Sequence, residues 1–276
     1  MSLDKLVPID NLEEARLNNT KVYIHNEHRF VLPILRECQL NGDLPMPCNL
    51  ILLDAHPDSS PFNNENGINA TDNSLSQSEF IDICDQSLAK DDGNWVIAGF
   101  ETGLIKDILI FGVNRDYQSF NDDLYRDRLG GVHKIFIFQG FPVDELHSRG
   151  WLIDIPKMGE NQSKMDIIEW GLQKGTGFNF LNQNKNLALV IDLDCFTIDW
   201  KDELISWPNE FFEAKFIKEK GSLSWSGSKF IKALLPKLGT ITIAKEPDYC
   251  GDMETSNKIL NQVNKYVFKD KLLFNI

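Results

Sequence analysis

Six short apolar runs recur along the chain, at residues 21–24, 49–53, 107–113, 134–138, 187–191 and 240–244. Most are built from Ile, Leu, Val and Phe without polar alternation, as in strands covered on both faces of a parallel sheet. The segments between them predict helices at 29–37, 77–89, 209–220, 228–235 and 255–268. Pro33 lies near the start of the first and Pro208 at the first turn of the third, where proline is tolerated. Pro236 closes the fourth. In the last, Ile259, Val263 and Val267 recur every four residues and form one apolar face. Strands alternating with helices predict an α/β fold with a doubly wound, mostly parallel sheet.

Composition narrows this picture. A chain of 276 residues with no internal repeat and no long linker reads as one domain spanning 1–276. Residues 59–76 are the least patterned stretch, rich in Asn, Ser, Asp and Gly, and begin directly after Asp58. A polar loop of that length suits the rim of a site. No apolar run approaches the roughly 20 residues that cross a bilayer. The first residues lack the basic and apolar regions of a signal peptide, so a cytoplasmic location is expected. Five cysteines at 38, 48, 84, 195 and 250 are an odd number without paired spacing. That argues against a disulfide framework or a thiolate zinc site and for buried, reduced thiols. A net charge of -13 disfavours nucleic acid and suits a cationic substrate.

The chemistry concentrates where predicted strands end. The run at 49–53 passes into Asp54-Ala55-His56-Pro57-Asp58, three ligand-type side chains within five residues. Residues two apart in extended backbone point the same way. The run at 187–191 passes into Asp192-Leu193-Asp194. Two carboxylates on one side of a buried strand repel each other and lose hydration, so they call for a cation or a shared proton. The run at 21–24 is followed by His25 and His28, either of which could be a ligand; His28 is the first choice. The run at 240–244 ends in Lys245-Glu246-Pro247. In open α/β sheets ligands bind at the carboxyl ends of strands. Two histidines with four carboxylates suit Mn²⁺, ahead of Zn²⁺ or Fe²⁺. His133 and His147 are read as surface residues or a proton shuttle, and Asn94-Trp95 as cleft lining or core.

These motifs resemble the arginase and agmatinase (ureohydrolase) family. The resemblance runs from near residue 21 to near residue 250 and implies a three-layer α/β/α arginase-like fold with a mostly parallel sheet of about eight strands. It implies a site of two Mn²⁺ ions held by His28, Asp54, His56, Asp58, Asp192 and Asp194. Asp54 and Asp192 would be shared, His28 and Asp58 would complete one ion, and His56 and Asp194 the other. Asp58 would return a proton to the leaving amine, and Glu246 would pair with the guanidinium. Arginases acting on free arginine carry Gly-Gly-Asp-His at the first ligand and Asp-x-Asp-x-x-Asp-Pro at the last. Here the segments read His25-Asn26-Glu27-His28 and Asp192-Leu193-Asp194-Cys195-Phe196-Thr197. The loop that grips the head of free arginine has no counterpart. The chain is more similar to the branch that includes peptide arginases, which implies an arginine-containing precursor peptide as substrate, with ornithine and urea as products. The rival readings are a hydrolase of a small guanidine or amide, including a single-zinc deacetylase, and a metal-stabilised peptide-binding protein without turnover.

Overall fold

The computed structural model describes residues 6, 9, 11–65, 67–69, 75–88, 93–115, 124–150, 186–201, 203–221 and 224–274. In chain order the elements are β1 (Glu13–Leu17), β2 (Thr20–His25), α1 (Val31–Leu40), β3 (Cys48–Leu53), α2 (Gln77–Ser87), α3 (Trp95–Glu101), β4 (Ile105–Phe111), β5 (Leu124–Arg126), β6 (Val132–Phe138), α4 (Pro142–Ser148), β7 (Leu187–Asp192), β8 (Thr197–Trp200), β9 (Glu203–Ser206), α5 (Asn209–Phe212), α6 (Gly227–Leu234), β10 (Leu238–Ala244), α7 (Pro247–Cys250), α8 (Met253–Gln262) and β11 (Leu272–Phe274). All six predicted strands are present. Among the described residues no helix is long and apolar enough to cross a membrane.

The main sheet has nine strands in the order β11-β1-β2-β10-β7-β3-β4-β6-β5, and β8 with β9 forms a separate two-stranded ribbon. The six central strands, β2 to β6 in that order, are parallel to one another. The outer strands β1, β11 and β5 are antiparallel and were not expected. They are short or partly exposed, so they lack the continuous apolar run that marks a buried strand. The predicted helices at 209–220 and 255–268 both tail into single π-helical segments, Glu213–Ile217 and Val263–Val267.

Helices cover both faces. Leu50, Leu52, Ala188 and Val190 pack under α1, α2 and α3. Ile51, Leu53, Leu189, Ile191, Ile241 and Ile243 pack against α4, α6 and α8. This period-two division makes three layers from strands whose side chains are apolar on both sides. Every residue of β3 and of β7 is buried. At about 1.5–3 kcal/mol per buried Leu, Ile or Val, these strands anchor the fold. α2 begins with a capping box, in which the Ser76 hydroxyl accepts from Glu79 N and Glu79 accepts from Ser76 N.

The topology fixes where a site can lie. From β3 the chain runs outward through β4 and β6, then returns to lay β7 on the other side of β3 and β10 beyond it. β3 and β7 are therefore the switch point, with a crevice at their carboxyl ends. Register then sets the neighbours. Leu53 pairs with Ile191, so Asp54 and Asp192 follow side by side. Ala244 pairs with both Asp192 and His25.

Candidate metal centre

β3 and β7 are apolar to their last residues, and the carboxylates begin where the strands leave the sheet. Continuing the alternation, Asp54 and Asp192 project toward the α1–α3 face. His25 occupies the same row but stands two strands from Asp192, with Ala244 between, roughly 10 Å away at the usual strand spacing. Its Nδ1 contacts Glu27 O at 2.9 Å. Burial and the nearby His28 lower its pKa to about 3, so it stays neutral. The chain doubles back after β2, and the short turn His28–Phe30 carries His28 over the crevice. Of the two candidate histidines, the structure places His28 among the carboxylates.

There, His28 Nδ1 lies 2.9 Å from Asp58 Oδ2, 3.0 Å from Asp192 Oδ2 and 3.4 Å from Asp54 Oδ2. A single N–H cannot serve three oxygens. On the other side His56 Nδ1 lies 2.8 Å from Asp194 Oδ2 and 4.0 Å from Asp54 Oδ1. Two ligand groups result, His28–Asp54–Asp58–Asp192 and Asp54–His56–Asp194, each with its ligand atoms within 4.8 Å of one another. Asp54 belongs to both. Asp192 joins the first group alone, whereas the family resemblance has it shared between the ions.

The electrostatics are those of a cation site. His28, Asp54, Asp58, Asp192 and Asp194 are all buried. Burial pushes the Asp54 carboxyl well above its usual range, and the charges of Asp58, Asp192 and Asp194 push further. Burial and Asp194 raise Asp192 to about 7. Burial opposes the charged form of His28, but Asp192 and Asp58 outweigh it and hold the imidazole well above its ordinary value. His56 is raised likewise, against burial, by Asp194. Asp54 Oδ2, Asp194 Oδ2 and both ring nitrogens of His28 are buried without a hydrogen-bond partner. Buried polar atoms normally have one, and unsatisfied ones that converge suit a bound cation. The donor set, oxygen-rich with two imidazoles, fits a pair of divalent ions.

The remaining carboxylate oxygens are anchored. Asp54 Oδ1 accepts from His56 N at 2.7 Å, Asp192 Oδ1 from Asp194 N at 3.0 Å, and Asp194 Oδ1 from Ala55 N at 3.2 Å. Asp58 is held most firmly. Trp95 Nε1 donates to its Oδ2 at 2.6 Å, and Val96 N donates to its carbonyl at 3.1 Å. Trp95 is fully buried, and its ring lies 4.7 Å from that of His28. Asp58 and Glu246 both adopt left-handed backbone, at φ 46° and 42°. Non-glycine residues there cost on the order of 1 kcal/mol, a strain that clusters at functional sites. We expect Trp95→Phe to keep the fold and lower manganese affinity about 10–100-fold, the usual effect of losing a bond that orients a ligand. Calorimetric titration checks this, and an unchanged affinity would make the Trp95 bond irrelevant to the site.

Other expected residues lie differently. Glu246 is buried, and its Oε1 accepts the backbone N–H of His28. Its own N–H donates to Asn26 O at 2.9 Å, so it braces the His28 turn. Trp95 is core and a partner of Asp58. His133 is not on the surface: it is buried on β6, 3.0 Å from Asp127 and bonded to Lys106 O, away from the crevice. His147 is exposed on α4. The five cysteines are buried and free. Of residues 59–76, only 59–65, 67–69 and 75–76 are among those described.

Three residues at the site had no place in the reading of the sequence. Tyr249 presents its ring edge-on to His56, 5.6 Å away. Thr197 Oγ1 donates to Asp194 O at 2.7 Å. Arg115 follows the carboxyl end of β4, where the polar pair Asn114-Arg115 is the local signal.

No family model matches the chain, and no curated protein matches it. Among solved structures it is similar to a hypothetical agmatinase from Burkholderia thailandensis, at 14% identity and a TM-score of 0.42, over 91% of this chain and 58% of that one. The chain thus spans 58% of that protein's length.

Proposed function

We propose that this chain is a two-metal hydrolase that removes the amidino group from arginine side chains within a cytoplasmic precursor peptide, giving ornithine and urea. The observation that carries the reading is the pair of ligand groups meeting at Asp54. His28, Asp54, Asp58 and Asp192 would hold one ion, and Asp54, His56 and Asp194 the other; manganese suits this set. When bound, such a pair supplies Lewis acidity that lets water act as a nucleophile near neutral pH.

The protein's own groups do the rest. A guanidinium keeps its charge at any working pH, and the net charge of -13 favours its approach. Glu246 pairs with its N–H groups and orients the carbon. Its Oε1 holds the His28 turn, so one carboxylate ties the substrate's position to that of a ligand. Water adds to the guanidinium carbon, and the C–N bond to the side chain breaks. The Asp58 carboxylate takes a proton from the adding water and delivers it to the departing amine. Trp95 fixes the Asp58 Oδ2.

The test is metal content after manganese loading, with urea release from free arginine and from arginine-containing peptides. Two manganese per chain with urea from peptides alone supports the proposal. Two metals without urea from any guanidine favours a peptide-binding protein, and no bound metal ends the two-metal reading. Glu246→Gln should keep both ions and lose about 100-fold in turnover, the order of a lost charge-stabilising partner; unchanged turnover would remove Glu246 from substrate binding.

A further inference from the structure

Arg115 is a cation tied by hydrogen bonds to the segments that carry both ligand motifs, yet among the described residues it makes no ion pair. It leaves β4 through Gly112, whose φ of 94° and lack of a side chain let the loop press on both ligand motifs. A Cβ at Gly112 would lie 3.3 Å from Asp54 O and 3.7 Å from Cys195 Cβ. The backbone N–H groups of Asn114 and Arg115 donate to Ala55 O at 3.1 and 3.0 Å. The half-buried guanidinium donates from one terminal nitrogen to Thr197 Oγ1 at 2.6 Å. Arg115 is thereby fastened between Ala55 and Thr197, on the His56–Asp194 side of the centre.

A guanidinium carries five N–H donors in a planar fork that matches a carboxylate. Here its one side-chain partner among the described residues is a neutral hydroxyl. Its remaining donors and its charge are unmatched among those residues. Two divalent cations would balance the four liganding carboxylates and the substrate guanidinium would balance Glu246, so an anion reaching Arg115 would meet no net repulsion from the loaded centre.

We propose that Arg115 is an anion subsite that binds a carboxylate of the substrate while the guanidinium sits over the metal centre. Resting on the guanidine reading above, this narrows the substrate class to an arginine with a free carboxylate nearby. Such an arginine is either C-terminal in its peptide or adjacent to an acidic residue. The bond to Thr197 presets the fork, and the carboxylate takes the remaining donors.

The test uses binding to the manganese-loaded protein, so it does not depend on turnover. Four probes are titrated calorimetrically: N-acetylarginine, N-acetylargininamide, N-acetylnorleucine and N-acetylnorleucinamide. We expect the acid to bind about tenfold or more tightly than its amide in each pair. Arg115→Gln, which can still donate to Thr197, should bring both ratios near one while leaving the amides unchanged. Arg115→Lys should keep part of the preference, since it keeps the charge without the fork. A carboxylate preference in the norleucine pair alone would sustain the Arg115 subsite while the guanidine reading falls. The absence of any Arg115-dependent preference for acid over amide, including no binding by any probe, would overturn the subsite. Equal losses for acid and amide in Arg115→Gln would reduce Arg115 to a clamp between Ala55 and Thr197.

Discussion

Asp54→Asn is expected to empty both halves of the site, whereas Asp194→Asn empties one. Asp54 alone belongs to both ligand groups, and an amide offers one neutral oxygen where a carboxylate offers two charged ones. Losing a residue that merely orients a ligand costs about 10–100-fold in metal affinity, so losing a shared ligand exceeds about 100-fold. The substitution is nearly isosteric, and it relieves repulsion among Asp54, Asp58, Asp192 and Asp194, which burial makes severe. Apoprotein stability should therefore hold or rise as metal is lost. Elemental analysis after manganese loading and gel filtration decides it. Asp54→Asn should retain less than one ion per chain, and Asp194→Asn about one. Two ions in Asp54→Asn would remove Asp54 from its shared role.

The second large effect is on thermal stability and depends on pH. In the metal-free protein Asp192 titrates at about 7, above the ordinary carboxylate value, because of burial and Asp194. The folded state therefore holds a proton that the unfolded chain releases, and stability falls as pH rises from roughly 4 to 7. His28 is also raised, against burial, by Asp192 and Asp58. Its stabilising contribution is complete below the ordinary histidine value of about 6.5 and is lost as pH climbs through the raised one. Both groups act in the same direction and together outweigh His25, whose lowered value favours the folded state as pH rises, so chelated protein should melt lower at pH 8 than at pH 5.5. Metal acts the other way, because its ligands must be deprotonated. Two sites, each at about a hundred times the dissociation constant, contribute about 5 kcal/mol. At about 2–4 °C per kcal/mol for a domain of this size, manganese should raise Tm by roughly 10–20 °C at pH 8, and by less at pH 5.5. Scanning calorimetry with and without chelator measures this; coincident melts at pH 8 would leave no place for a two-ion site.

The sequence by itself determined the six parallel strands, because strands buried on both faces must be apolar at every position and therefore stand out. It also placed the acidic motifs at the carboxyl ends of β3 and β7, since the change from apolar run to Asp-x-His-x-Asp or Asp-x-Asp is local. The flanking strands β1, β5 and β11 were not legible. They are short or partly exposed and carry no continuous apolar run: β1 and β5 are hairpin partners of β2 and β6, and β11 closes on β1 from far along the chain.

Only the tertiary structure decided the rest of the site. The sequence favours His28 with His25 as the alternative; strand spacing leaves His25 behind Ala244 while the turn brings His28 to the carboxylates. Trp95 lies 37 residues after Asp58, and Glu246 lies 218 after His28. Arg115 reaches Thr197 across 82 positions. A motif is a short-range signal, carried by backbone alternation over a few residues. The groups that brace its ligands arrive from separate crossovers, and a parallel α/β sheet gathers them at one edge only once its strand order is in place.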